Sequence, residues 1–143
     1  MKTQSRLSIV EGFPVSAEAL FAKLLDHEGM SEWSGARVKI VAGPRDGGVG
    51  TVRRIEGPGV TIDEEVVYVD APRRLVYRIV RGLPLLGYHR GEMIVEPWGR
   101  TGSQLTWDIL MDMKVPGMAS AVTAMLGGQL REGLGRLRRS MVA

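Results

Sequence analysis

The chain contains no cysteine. That excludes disulfides, thiolate metal sites and a cysteine nucleophile. Its only histidines are His27 and His89, and their separation matches no metal-ligand spacing, so neither a metal nor another cofactor is expected. No apolar run approaches the ~18 residues of a membrane-spanning helix. The opening MKTQSRLSIVEGFP lacks both the continuous apolar stretch and the small-residue cleavage site of a secretory signal. Repeats, linkers and low-complexity segments are missing as well. The 143 residues therefore read as one domain, 1–143, large enough to bury about two-thirds of its unfolded surface. The expectation is a bacterial-type cytoplasmic protein, monomer or homodimer, with no integral membrane segment.

Charge asymmetry is also slight. The formal net charge is +3, and the basic residues are spread among acids. The one dense group is Arg131, Arg136, Arg138 and Arg139. In the last turns of a helix such cations complement the terminal dipole and keep the outer face wet. No DNA- or RNA-binding motif accompanies them, so nucleic acid is not an expected partner. A protein-interaction role for this basic end is kept as an alternative. Gly47-Gly48-Val49-Gly50 lacks the Gly-Lys-Ser/Thr ending and following helix of a phosphate loop, and reads as a hairpin turn.

What is present is a long succession of strand patterns closed by one helical pattern. Leu7 to Val10 reads as a short strand. Ser16 stands where it can cap a helix over Ala17–Leu25, and a second short helix is expected over Met30–Trp33. His27, between them in Asp-His-Glu, reads as a solvated loop residue. Six strand-like segments follow, over 37–41, 50–56, 60–69, 75–80, 88–95 and 104–113, with Gly/Pro-rich turns about every ten residues. That spacing favours an antiparallel meander over parallel βαβ units. From Pro116 to Ala143 apolar residues recur at helical steps: Met118, Val122, Met125, Leu126, Leu130, Leu134, Leu137 and Met141. Gly127, Gly128 and Gly133 interrupt this stretch. They serve to bend the helix, to let it pack closely or to leave room beside it; alternatively the helix starts late, near Met125. The predicted fold is α+β, a curved antiparallel sheet of about seven strands wrapping a long C-terminal helix, with two short helices between the first two strands. A rod lying across a curved sheet leaves a hollow beside the line of contact, and that points to a binding cavity.

Alternation assigns the faces. Leu105, Trp107, Ile109, Met111 and Met113 share one side of the last strand, and Tyr77 and His89 are placed inward in theirs. Arg53 falls in phase with Thr51 and Ile55. Glu64 is in phase with Ile62 and Val66, while Glu65 lies opposite, beside Val67 and Val69; one of the two carboxylates is expected inward. A buried ion costs several kcal/mol unless paired, so an inward Arg53 calls for that carboxylate. Such a pair either fixes strand register or orients a ligand in an apolar pocket.

The segments Pro14–Phe21 with Trp33, Val49–Arg53, Asp63–Ile79 and Leu105–Trp107 resemble the START-like (helix-grip, SRPBCC) superfamily, which includes the birch-pollen-allergen proteins. Within it the chain is most similar to bacterial polyketide cyclase/dehydrase-like proteins. The resemblance implies a deep cavity between sheet and terminal helix that holds a hydrophobic or amphipathic small molecule, with Arg53, Glu64, Tyr77 and Trp107 at cavity or rim positions. The leading expectation is a binding protein or carrier. Arg53, Glu64 or Glu65 and His89 would supply polar contacts, and Trp33, Tyr77, Trp107, Met111, Met118 and Val122 the walls. The alternative is a cyclase or dehydratase, with His89 or Glu64 as base and Arg53 or Tyr77 stabilising an enolate oxygen.

Overall fold

In the computed structural model, which describes residues 2–142, the alternating segments form seven strands. They are β1 (Gln4–Phe13), β2 (Arg37–Ala42), β3 (Val52–Gly57), β4 (Val60–Asp70), β5 (Arg74–Arg81), β6 (Leu86–Trp98) and β7 (Gly102–Met113). All neighbours pair antiparallel in the order β1-β7-β6-β5-β4-β3-β2. The short Gly/Pro-rich links make β2 to β7 a meander, and β1 closes against β7. The strict alternation of β7 is reproduced in space: Leu105, Trp107, Ile109, Met111 and Met113 are all buried on the concave face.

Helix α1 (Ala17–Leu25) starts where the Ser16 hydroxyl accepts the Ala19 amide at 3.1 Å, and buries Leu20, Phe21 and Leu24. The expected second helix is instead a 3-10 turn, Glu28–Glu32. The Asp26 carboxylate takes the Gly29 amide and the Met30 amide reaches the His27 carbonyl, which tightens the chain into three-residue steps. Helix α2 (Met118–Ser140) is continuous through Gly127 and Gly128, so the late start near Met125 does not occur. The last residue of the predicted helix, Ala143, lies outside the described residues. Two of its glycines are sites of close packing. A Cβ at Gly127 would come 3.1 Å from a Leu7 methyl on β1, and one at Gly133 would come 3.0 Å from the Trp33 carbonyl oxygen. Leu134 and Leu137 are fully buried beside them, each side chain contributing about 1.5–3 kcal/mol by leaving water.

The basic end of α2 is more than solvated trim. Arg136 Nε donates to the Trp33 carbonyl and Arg138 Nε to the Gly12 carbonyl, both at 2.9 Å, and Arg138 also pairs with Glu11. These two side chains fasten the helix to the 3-10 turn and to β1, while Arg131 and Arg139 remain exposed.

Two irregularities shape the concave face. The β4–β5 register shifts between Val66 and Tyr68, so Val66 and Val69 both pack inward while Val67 and Tyr68 face out. That bulge overturns the simple grouping of Val67 with Val69. Strands β5 and β6 pair only from Arg74–Ile94 to Tyr77–Gly91 and then part. Beyond that point β6 stays with β7 and β5 with β4, which leaves a seam in the sheet.

Candidate ligand cavity

A cavity of about 450 Å³ lies between the concave face of the sheet and α2. Ile55, Ile62, Ile79 and Ile109 supply its sheet wall, and Val122, Leu126 and Leu130 its helix wall. At the mouth stand the tip of the β3–β4 hairpin, Pro58-Gly59-Val60, and Met125, which is 63% exposed although it shares the apolar stripe of α2. The volume falls within the range of small-molecule sites, as does the combination of an apolar lining with a few grouped polar side chains.

Those polar groups begin with Arg53 and Glu64, which face one another across the β3–β4 ladder. Arg53 is 1% exposed. Its Nε and Nη2 both donate to Glu64 Oε1, at 3.1 and 2.9 Å, and Nη1 donates to His27 Nδ1 at 3.0 Å and to the Met30 sulfur at 3.1 Å. Its guanidinium carbon lies 4.6 Å from the Tyr77 ring centroid, a cation–π distance. Burial pushes the Glu64 carboxyl above the usual carboxylate range, against the opposing pull of the Arg53 charge and hydrogen bonds. Trp107 Nε1 donates to the Tyr77 hydroxyl at 2.8 Å. Burial, then the Glu64 charge, raises the Tyr77 phenol well above its ordinary value and keeps it neutral. The ring lies against Gly91, where a Cβ would fall 2.1 Å from Tyr77 Cζ. Only glycine fits there.

His89 borders both the cavity and the seam. The Ile79 amide, which has no β6 partner, donates to His89 Nδ1 at 3.0 Å. With that lone pair occupied, the neutral ring carries its proton on Nε2. Burial, then the Arg53 charge, lowers the pKa to about 4. His89 is therefore a neutral hydrogen-bond donor in this conformation, with its acceptor lone pair held by the Ile79 amide.

His27 is the main correction. It is buried rather than solvated, because the β2–β3 loop folds over it. Its Nε2 is 2.9 Å from the Gly47 carbonyl and donates to it, which leaves Nδ1 to accept from Arg53. Burial and the neighbouring guanidinium lower its pKa to about 4. Three further expectations change. Glu65 faces the convex side and pairs with Arg78 at 3.1 Å, so the inward carboxylate is Glu64. Trp33 is buried but borders a separate crevice of about 40 Å³ beside Lys23 and Leu137, because its indole turns toward the close approach at Gly133. Met118 packs with Met113 and Ala119 in a second small core at the start of α2, outside the cavity lining. Arg53, Glu64, Tyr77, His89, Trp107, Met111 and Val122 all border the cavity. Sequence reasoning missed His27 and Met30 as supports of Arg53. The signal for Gly91 was available, since a glycine inside a strand marks a close approach.

Among the described residues no three His, Asp or Glu side chains are grouped to hold a metal ion, and no helix is long and apolar enough to cross a membrane. A family model described as polyketide cyclase/dehydrase and lipid transport matches residues 6–142. No sequence among the curated proteins matches the chain. Solved structures resemble it closely in shape. XoxI from Bacillus cereus is 18% identical with a TM-score of 0.79, covering 96% of both chains. A START superfamily protein from Mycobacterium smegmatis is 18% identical with a TM-score of 0.77, covering 94% of this chain and 95% of that one. Major latex-like protein 151 from Panax ginseng is 16% identical with a TM-score of 0.79, covering 99% of each. At such identities the likeness is one of fold.

Proposed function

From the premise that this chain belongs to the polyketide cyclase/dehydrase and lipid transport family, with its START-like helix-grip fold, we propose that it binds or carries a hydrophobic or amphipathic small molecule. The observation that carries this reading is the 450 Å³ cavity, apolar along most of its wall and polar at the Arg53–Glu64–Tyr77–His89 end. An apolar body would displace water from the isoleucine and leucine walls, at about 25 cal/mol per Å² of apolar surface covered. The polar end would fix its orientation. The proposal places the protein in the cytoplasm as a monomer or homodimer. Native mass spectrometry of freshly purified protein, followed by organic extraction, tests it: a bound species of a few hundred daltons is expected. Protein that stays ligand-free and leaves apolar small molecules in solution would refute it.

A second reading, cyclisation or dehydration of a polyketide-like ligand, is favoured by one feature. Glu64 is a carboxyl raised by burial at the cavity wall, next to a neutral phenol. With the His89 lone pair taken, Glu64 is the acid–base candidate that remains. Turnover of a poly-β-keto probe, lost about 10²–10⁴-fold in Glu64→Gln, supports this chemistry. Binding of the probe without turnover rejects it.

A further inference from the structure

Resting on the ligand-binding reading, a more specific statement follows from which atoms at the polar end are already engaged. We propose that the cavity selects an uncharged ligand whose apolar body carries a hydrogen-bond-accepting oxygen, held by His89 Nε2–H and the Tyr77 hydroxyl.

The parting of β5 from β6 sets this up. It frees the Ile79 amide, the amide occupies His89 Nδ1, and the proton is thereby fixed on Nε2. Nε2 makes no hydrogen bond to the described protein, yet it is not among the buried side-chain atoms left without a partner. It therefore borders open space. Tyr77 is constrained in the same sense. Its oxygen accepts from Trp107 and its hydroxyl proton has no protein acceptor, so it too has a donor to offer. The two rings are neighbours, with centroids 5.7 Å apart, and both border the cavity, so one ligand oxygen with two lone pairs is offered a donor from each.

Arg53 would attract an anion were it free, but all three of its nitrogens are committed to Glu64, His27 and Met30. A ligand carboxylate would meet a cation already neutralised and the Glu64 charge beside it. A carbonyl or ether oxygen meets the same two donors without bringing a second negative charge beside Glu64. A pure hydrocarbon leaves both donors dry and unpaired, which is unfavourable in a low-dielectric site.

Three probes sharing one skeleton separate these cases by titration calorimetry at neutral pH: 2-acetylnaphthalene, 2-ethylnaphthalene and 2-naphthoate. The ketone is expected to bind about tenfold more tightly than the hydrocarbon, and the anion more weakly than the ketone. His89→Leu and Tyr77→Phe should each shrink the preference for the ketone over the hydrocarbon several-fold. His89→Gln, whose carbonyl can accept from Ile79 while its amide donates, should restore part of it. The ring nitrogens of His89, read by long-range proton–nitrogen NMR on the unmodified protein, should show the Nε2–H tautomer. Equal binding of ketone and hydrocarbon, tightest binding of naphthoate, or an Nδ1–H tautomer overturns the proposal and leaves the ligand-binding reading standing. If neither ketone nor hydrocarbon binds, the proposal falls, and organic extraction of the purified protein decides the ligand-binding reading separately.

Discussion

Acidification should destabilise this protein through His27 and His89 well before its surface carboxylates matter. Each ring has its Nδ1 lone pair occupied by a protein donor, from Arg53 in one case and the Ile79 amide in the other. A proton added at Nδ1 would face that donor directly, and for His27 it would set two cations 3.0 Å apart. Burial, then the Arg53 charge, lowers both pKa values from 6.5 to about 4. In the unfolded chain each imidazole takes its proton near the ordinary value. Between pH 6.5 and 4 the unfolded state therefore binds more protons, and stability falls as the pH falls. The two histidines together remove about 3 kcal/mol at about pH 5.5 and about 5 kcal/mol at about pH 4.5, the latter equal to the low end of an ordinary domain's stability. Glu64 acts in the opposite sense. Its raised carboxyl takes a proton more readily when folded, so its contribution grows as the pH falls. For that reason the decisive assay pairs urea unfolding across this range with NMR titration of the two histidine rings. Rings that titrate near 6.5 in the folded protein would refute the reasoning.

Other substitutions probe the packing and the ion pair. Gly91→Ala forces a methyl into the Tyr77 ring and pulls the Trp107 acceptor away, so it should cost about 2–5 kcal/mol in urea unfolding; a loss below about 0.5 would contradict the close approach. Arg53→Met leaves Glu64 buried and unpaired and should cost about 3–5 kcal/mol, whereas Arg53→Met combined with Glu64→Leu should recover much of that. Strict additivity in that double-mutant cycle would show the pair to be uncoupled. The glycines of α2 should respond with opposite signs in thermal unfolding. Gly128→Ala has nothing within 4 Å and should stabilise by up to about 1 kcal/mol, while Gly133→Ala pushes on the Trp33 carbonyl and should destabilise by about 1–2 kcal/mol.

Much of the architecture is legible in the sequence because it follows from local periodicity. The inward row of β7 needs nothing beyond a period of two, and α2 needs only the recurrence of its leucines. Arg53 stands out because a charge occupies an inward phase, and Glu64 follows as its cross-strand partner once the sheet is antiparallel. Legibility ends where a side chain's surroundings come from distant segments. His27 is buried only because a loop 20 residues on and a strand 26 residues on converge over it. Glu64 and Glu65 cannot be told apart while the bulge after Val66 leaves the phase of β4 unsettled. Trp33 carries the marks of a wall residue, yet the close approach of Gly133 diverts it into the core. The meaning of Gly91 depends on Tyr77 across the ladder, and no single strand contains both.

The parting of β5 and β6 also bears on kinetics. Over most of the sheet, opening a path to the interior means breaking several consecutive backbone hydrogen bonds at once. At the seam the β5–β6 ladder has already ended, and a single bond from the Ile79 amide to an imidazole bridges the gap. A second hollow, of about 370 Å³, reaches the same three residues, Ile79, Leu83 and His89, that line the main cavity. Rotation of one side chain would then open a second way in, beside the mouth at the β3–β4 hairpin tip and Met125. A guest leaving on this side would first have to break its own contact with His89, so the group that orients it would also slow its exit there.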